Sequence, residues 1–217
     1  MGDTATAALD STQAVADALV KNVLENRRAG NDRLMLAAAW ADMHQVPPGV
    51  KDGEHPGAEG TPEVARFAVE ELSVLIEKHV HAGRQVVADA LNLRHRHPRL
   101  WARVQAYEVE AWVAAQTARR VAAAGLSAVQ ARWVDEETAG ALAELPVGRY
   151  FTVLDAKVIE ADQALAEARR GEAMQRRFVR KTRLNEHGLK GLYAMATFTG
   201  VDTVYATVDR AASILML

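Results

Sequence analysis

Arginine dominates the chemistry open to this sequence. Arg94, Arg96, Arg99 and Arg103 fall within ten residues, with two histidines and Trp101 between them and no acidic residue. A second run gathers Arg169, Arg170, Arg176, Arg177, Arg180, Lys181 and Arg183, opposed only by Glu172. The planar guanidinium matches phosphate oxygens two at a time, so clustered arginine on a slightly acidic chain is the electrostatic footprint of nucleic-acid contact. The candidates for nucleic-acid backbone contact are Arg94, Arg96, Arg99 and Arg103 together with Arg176, Arg177, Arg180, Lys181 and Arg183. The competing role for the same residues is a solvated face with local ion pairs, or pairing at helix carboxyl ends.

Other reactive groupings carry less. His79 and His81, like His95 and His97, sit two apart, whereas metal ligands sharing a helix face belong three or four apart. No metal and no cofactor is expected. Asp155-x-Lys157 matches the acid-x-Lys fragment of Mg2+-dependent nucleases, yet it lies where Phe151, Leu154 and Val158 keep helical spacing, and that chemistry needs a strand. An exposed helical acid and base is the expectation, with no catalytic residue. Trp101 and Trp112 stand at helical apolar positions and are expected in the core rather than as base-stacking platforms.

These residues must be positioned by a mainly α chain. The 217 residues include 42 alanines, the best helix former, with only 14 Gly and 6 Pro. Lys and Arg total 26 against 28 Asp and Glu, which excludes a chain that coats polyanions as a whole. Cysteine is absent, so disulfides and thiolate sites are excluded and a reducing, cytoplasmic setting is expected. Residues 1–10 show no basic-then-apolar leader, and no apolar stretch approaches the ~20 residues of a membrane span.

Periodicity predicts the elements. A helical segment covers 1–45, with Leu36, Trp40 and Met43 on one face and Gly30 as a candidate break. Residues 46–61 form a Pro/Gly-rich loop. A helical core spans 62–171, opened by the Thr61-Pro62-Glu63 cap. Within it, the helices before and after residues 77–82 suit a helix-turn-helix, although Glu77 stands where a turn favours Gly and one continuous helix fits nearly as well. A helix from Val147 carries Phe151, Leu154, Val158 and Leu165. Residues 172–217 read as a β-hairpin, Phe178 to Leu184 and Leu189 to Phe198 about an Asn185–Gly188 turn, then a helix from Asp202. The chain stops inside the apolar run Ile214–Leu217, so it reads as continuing into a further segment. The fold class is thus mainly α, a multi-helix bundle-like core with one hairpin near the C-terminus.

Several stretches resemble one family. Gly60-Thr61-Pro62 with Val64 and Phe67, the run ALNLRHRHPRLWARV at 90–104, Val109 with Ala111-Trp112, Gly125-Leu126-Ser127 before Trp133-Val134-Asp135, and Val208-Asp209-Arg210 are similar to the domain of unknown function 222 (13E12 repeat) family. The likeness runs from about Arg33 to Leu215. In that family a helical region precedes a carboxy-terminal HNH nuclease motif, with paired histidines on a divalent ion. After Arg210 this chain holds no His or Asn. The resemblance therefore implies a DNA-associated, HNH-associated helical module without the nuclease site. The alternative is a protein-interaction or self-assembly module, in which the helix from Val147 to Leu165 packs on a second copy or a partner protein.

Overall fold

The computed structural model describes residues 11–215, so the first ten residues and the last two of the expected apolar end, Met216 and Leu217, lie outside the described residues. The fold is mainly α. Helix α1, Thr12–Met43, is capped by the Ser11 hydroxyl, which accepts from the Ala14 amide. Gly30 does not break it: a side chain there would strike the Ala111 Cβ at 2.8 Å, so the glycine serves close packing, not a turn.

Strand β1, Gly53–Glu54, pairs antiparallel with β2, Val64–Ala65. The Thr61-Pro62-Glu63 expectation is corrected by this pairing, because the chain is still extended at Val64 and the next helix, α2 (Arg66–Leu75), begins later. The 46–61 segment is likewise pinned rather than free. The Val46 amide donates to the Glu63 carbonyl, and the Ala58 amide donates to the side chain of Asn92 at 2.9 Å.

Helix α3, Val80–Arg96, follows α2 through a turn in which Glu77 adopts φ of 54°. The two-helix arrangement thus forms without the glycine that this backbone favours. The helices meet at Gly83, where an added Cβ would lie 1.9 Å from the Ser73 hydroxyl. Residues 87–93 of α3 are buried without interruption, the signature of a helix enclosed on every side. Helices α4 (Pro98–Gln105), α5 (Ala111–Ala123), α6 (Ala128–Thr138), α7 (Ala141–Glu144) and α8 (Val147–Ala161) complete this unit, and α1, α2, α4, α5 and α6 all contact α3. Asp89, buried on α3, receives both arms of Arg119 and the Gln85 amide, which neutralises a charge that burial alone would penalise.

The first compact unit ends at Asp162, and the second runs from Gln163. The expected helix from Val147 to Leu165 is therefore interrupted, and α9 (Gln163–Gln175) belongs to the second unit. That unit continues with strands β3 (Phe178–Lys181) and β4 (Leu192–Met195) and helix α10, Phe198–Leu215, which starts before Asp202. The hairpin connection is longer than expected. At its tip the Asn185 side chain accepts from the amides of His187 and Leu189, and Gly188 takes φ of 75°. Among the described residues no helix is long and apolar enough to cross a membrane.

Candidate nucleic-acid interface

The first arginine run lies at the junction of α3 and α4, and its members are engaged within the first unit. Arg96 is 0% exposed, with Nη2 donating to the Leu126 carbonyl at 2.7 Å. Its Nε and Nη1 find no partner among the described residues, and burial lowers the pKa of the guanidinium. This corrects the expectation for Arg96: its side of the last turn of α3 faces the core, so the residue offers no donor to an external phosphate. Arg94 is bridged to Asp42. Arg103 contacts Glu108 at 3.2 Å and donates to the Ala139 carbonyl. Arg94 and Arg99 are the exposed members of the run, and Arg99 lies 3.6 Å from Glu136.

The neighbouring histidine is equally internal. His97 is buried and caps the start of α4 by position, and burial followed by the nearby Arg96 charge pushes its pKa down to about 3. Asp135 approaches its Nδ1 at 4.0 Å and accepts the amides of Arg99 and Leu100 at 2.7 and 3.1 Å. Burial raises this carboxyl to about 6, against the pull of those two amides. Both side chains are closed to solvent, so Asp135 braces the first turn of α4 through those two amides and neither group has access to a substrate.

The acid-x-Lys fragment does not converge. Asp155 pairs with Arg120 at 2.6 Å, whereas Lys157 pairs with Glu137 and Glu160 at 3.0 and 2.9 Å. His79 sits off the helix as the cap of α3, and its ring stacks on that of His81 at 5.1 Å, closer than two positions on one helix would allow. Among the described residues no group of three or more His, Asp or Glu gathers as a metal site would require. Trp112 is 58% exposed and so is not a core residue, while Trp101 is half-buried.

The second run has a different character. Residues 176–195 hold six Lys or Arg against the single Glu186. Arg176 lies 3.8 Å from Glu172, a pair exposed on both sides. Among the described residues no ion pair engages Arg177, Arg180, Lys181, Arg183 or Lys190. The last of these was missed in the sequence because it stands apart, beyond the turn, and only strand pairing returns it to the cluster.

Register then sorts the hairpin into two faces. Phe178 pairs with Met195 and Arg180 with Tyr193, and alternation along each strand puts these four on one side. Val179, Lys181, Leu192 and Ala194 take the other. The Phe178 and Tyr193 rings are 5.4 Å apart, and the Arg180 guanidinium carbon lies 4.6 Å from the Phe178 centroid. A cleft of about 370 Å³ is bordered by Val179, Leu192 and Tyr193 of the hairpin and by Val201, Val204 and Val208 of α10.

Compared with protein-family models, with curated proteins and with solved structures, the chain matches none of them.

Proposed function

We propose that the chain is a DNA-associated module that holds the nucleic-acid backbone through the β3–β4 hairpin and does not cleave it. The observation that carries this reading is the set of cations Arg177, Arg180, Lys181, Arg183 and Lys190, crowded on a small hairpin without acidic partners among the described residues. Like charges held this close repel one another in the free protein, and phosphate relieves that repulsion while releasing counterions. The first run contributes at most Arg94 and Arg99 to a surface, each already beside a carboxylate, since Arg96 and Arg103 hold the fold together. The reading is that of a module such as the resemblance to the HNH-associated family implies, acting by position, with cytoplasmic placement as part of it.

Fluorescence anisotropy with a labelled duplex at about 50 mM salt tests it, a condition under which even non-specific contacts register in the micromolar range. Binding that weakens when Arg177, Lys181 and Arg183 are together changed to Glu supports the reading. No binding to any nucleic acid, or binding indifferent to that change, rejects it.

A self-assembly reading rests on a separate observation. In the first half of α1, Val15, Leu19 and Val23 form a stripe at helical spacing that is exposed throughout, whereas the helix expected to mediate assembly already buries Tyr150 and Leu154 within its own unit. The partner is a second copy, with the hydrogen-bonded Asn22 and Asn26 as polar positions that fix register in a paired helix. Sedimentation equilibrium tests it: a dimer that Leu19→Glu converts to monomer supports pairing through α1, and a monomer at all concentrations removes it.

A further inference from the structure

We infer that the outer face of the hairpin is a stacking platform for unpaired bases, so that the ligand class is single-stranded nucleic acid. The inference rests on the hairpin being the nucleic-acid contact, and it concerns what that contact recognises.

This face carries Phe178, Arg180, Tyr193 and Met195. The cleft beside α10 is lined chiefly from the opposite face, by Val179, Leu192 and Ala194, and of the four residues of this face only Tyr193 also borders it. Tyr193 is 54% exposed and Met195 48%. Phe178 is half-buried, and the exposed Tyr193 ring forfeits apolar burial worth about 25 cal/mol per Å². Arg180 covers part of Phe178 and so extends the ring surface with a flat, delocalised cation. A base has a π face whatever its identity, and a ring pair beside a guanidinium stacks it without reading its edge.

The composition of this face distinguishes single strand from duplex. A two-stranded ribbon that reads the major groove does so with hydrogen-bonding side chains at base edges. Here Phe178 has no hydrogen-bonding group and Met195 only a weakly accepting thioether, while Tyr193 offers an edge only the hydroxyl at the tip of its ring. Their favourable partner is the flat face of a base, which a duplex hides within its own stack. The cations fit the same ligand. Arg176 and Arg177 precede Phe178 directly, while Lys181 and Arg183 follow Arg180, so positive charge flanks the rings at both ends of β3 and can track a backbone whose bases turn inward.

The test uses the full chain and labelled oligomers of one mixed sequence as single-stranded DNA, single-stranded RNA and duplex DNA. The expected result is single-strand affinity roughly tenfold above duplex affinity, with Tyr193→Thr and Phe178→Thr each weakening single-strand binding about fivefold or more and leaving duplex binding unchanged. Thr keeps strand propensity, and retained duplex binding shows that the hairpin persists. Tyr193→Phe preserves the ring and is expected to bind as the parent does. The DNA and RNA arms separate the two sources of single strand, and preference for either is consistent with the platform. Equal affinity for duplex and single strand, insensitive to both ring substitutions but sensitive to the cations, overturns this inference and leaves the DNA-binding reading standing. Absence of binding to all three oligomers overturns both.

Discussion

Arg96 donates to the backbone carbonyl of Leu126 from a position fully closed to solvent, across 30 residues of sequence. This bond ties the end of α3 to the segment that enters α6, just ahead of the capping box formed by Ser127 and Gln130. Arg96→Glu removes the donor and buries a carboxylate facing a carbonyl, so a loss of about 3–5 kcal/mol is expected in urea unfolding. Arg99→Glu, at an exposed site, is expected to cost about 1 kcal/mol or less. Equal tolerance of the two changes would show that Arg96 does not brace the fold.

The buried pair beside it sets a pH dependence. The His97 ring stays neutral in the fold down to about pH 3, while in the unfolded chain it titrates near 6.5, so the unfolded state binds the extra proton and stability rises with pH across that window. Asp135 acts with the opposite sign. Its carboxyl keeps a proton up to about pH 6 where the unfolded chain has lost it near 3.8, so stability falls as pH rises between those values. From about pH 4 to 6 the two nearly cancel at about 1.4 kcal/mol per pH unit each. Asp135→Asn is expected to expose the His97 slope, giving a variant that gains stability steeply from pH 4 to 6, whereas His97→Gln reverses the slope. Thermal melts across this range check both, and parallel profiles for parent and variants would refute the assignment.

Gly83 fixes the approach of α2 to α3. Gly83→Ala drives a methyl into Ser73, and an overpacking cost of about 1–3 kcal/mol is expected. Ser73→Gly removes the obstructing hydroxyl and Cβ, so the double variant is expected to lose less than the two single losses combined, with a coupling above about 0.5 kcal/mol. Additive losses would mean that the helices do not meet there.

Helix existence was readable from apolar periodicity, and the hairpin from its β-branched and aromatic runs around Asn185–Gly188. What periodicity concealed was direction. On α1 the large residues Leu36 and Met43 face outward, 68% and 74% exposed, while Leu34 and the alanines Ala37, Ala38 and Ala41 face the core, where close packing of the helix against its neighbours favours small side chains. The same effect turned Gly30 from a candidate break into a contact. Within the candidate site, the arginines of the first run looked equivalent in sequence, since burial of Arg96 depends on helices far apart in the chain. In the second run Arg176, Arg177, Arg180, Lys181 and Arg183 are exposed, but Lys190 and the Phe178–Tyr193 face required the strand register, which composition does not supply.

Asp155 and Lys157 are held by different partners, Arg120 on one side and Glu137 with Glu160 on the other. No nicking of supercoiled plasmid is therefore expected from the purified chain with Mg2+, Mn2+ or Zn2+, since the acid and the lysine cannot converge on one phosphate. Nicking that disappears in Asp155→Ala would contradict this directly.

The salt dependence of binding compares the two arginine runs in one measurement. Binding to a labelled single strand is followed from about 50 to 200 mM salt for the parent chain, for Arg177→Glu with Lys181→Glu and Arg183→Glu, and for Arg94→Glu with Arg99→Glu. Each phosphate neutralised on a single strand contributes roughly −0.7 to the log–log slope. The expected result is a slope flattened by about 2 in the hairpin variant and essentially unchanged in the other. A slope that flattens only when Arg94 and Arg99 are reversed, or that is unaffected by either set, would contradict the hairpin as the contact surface.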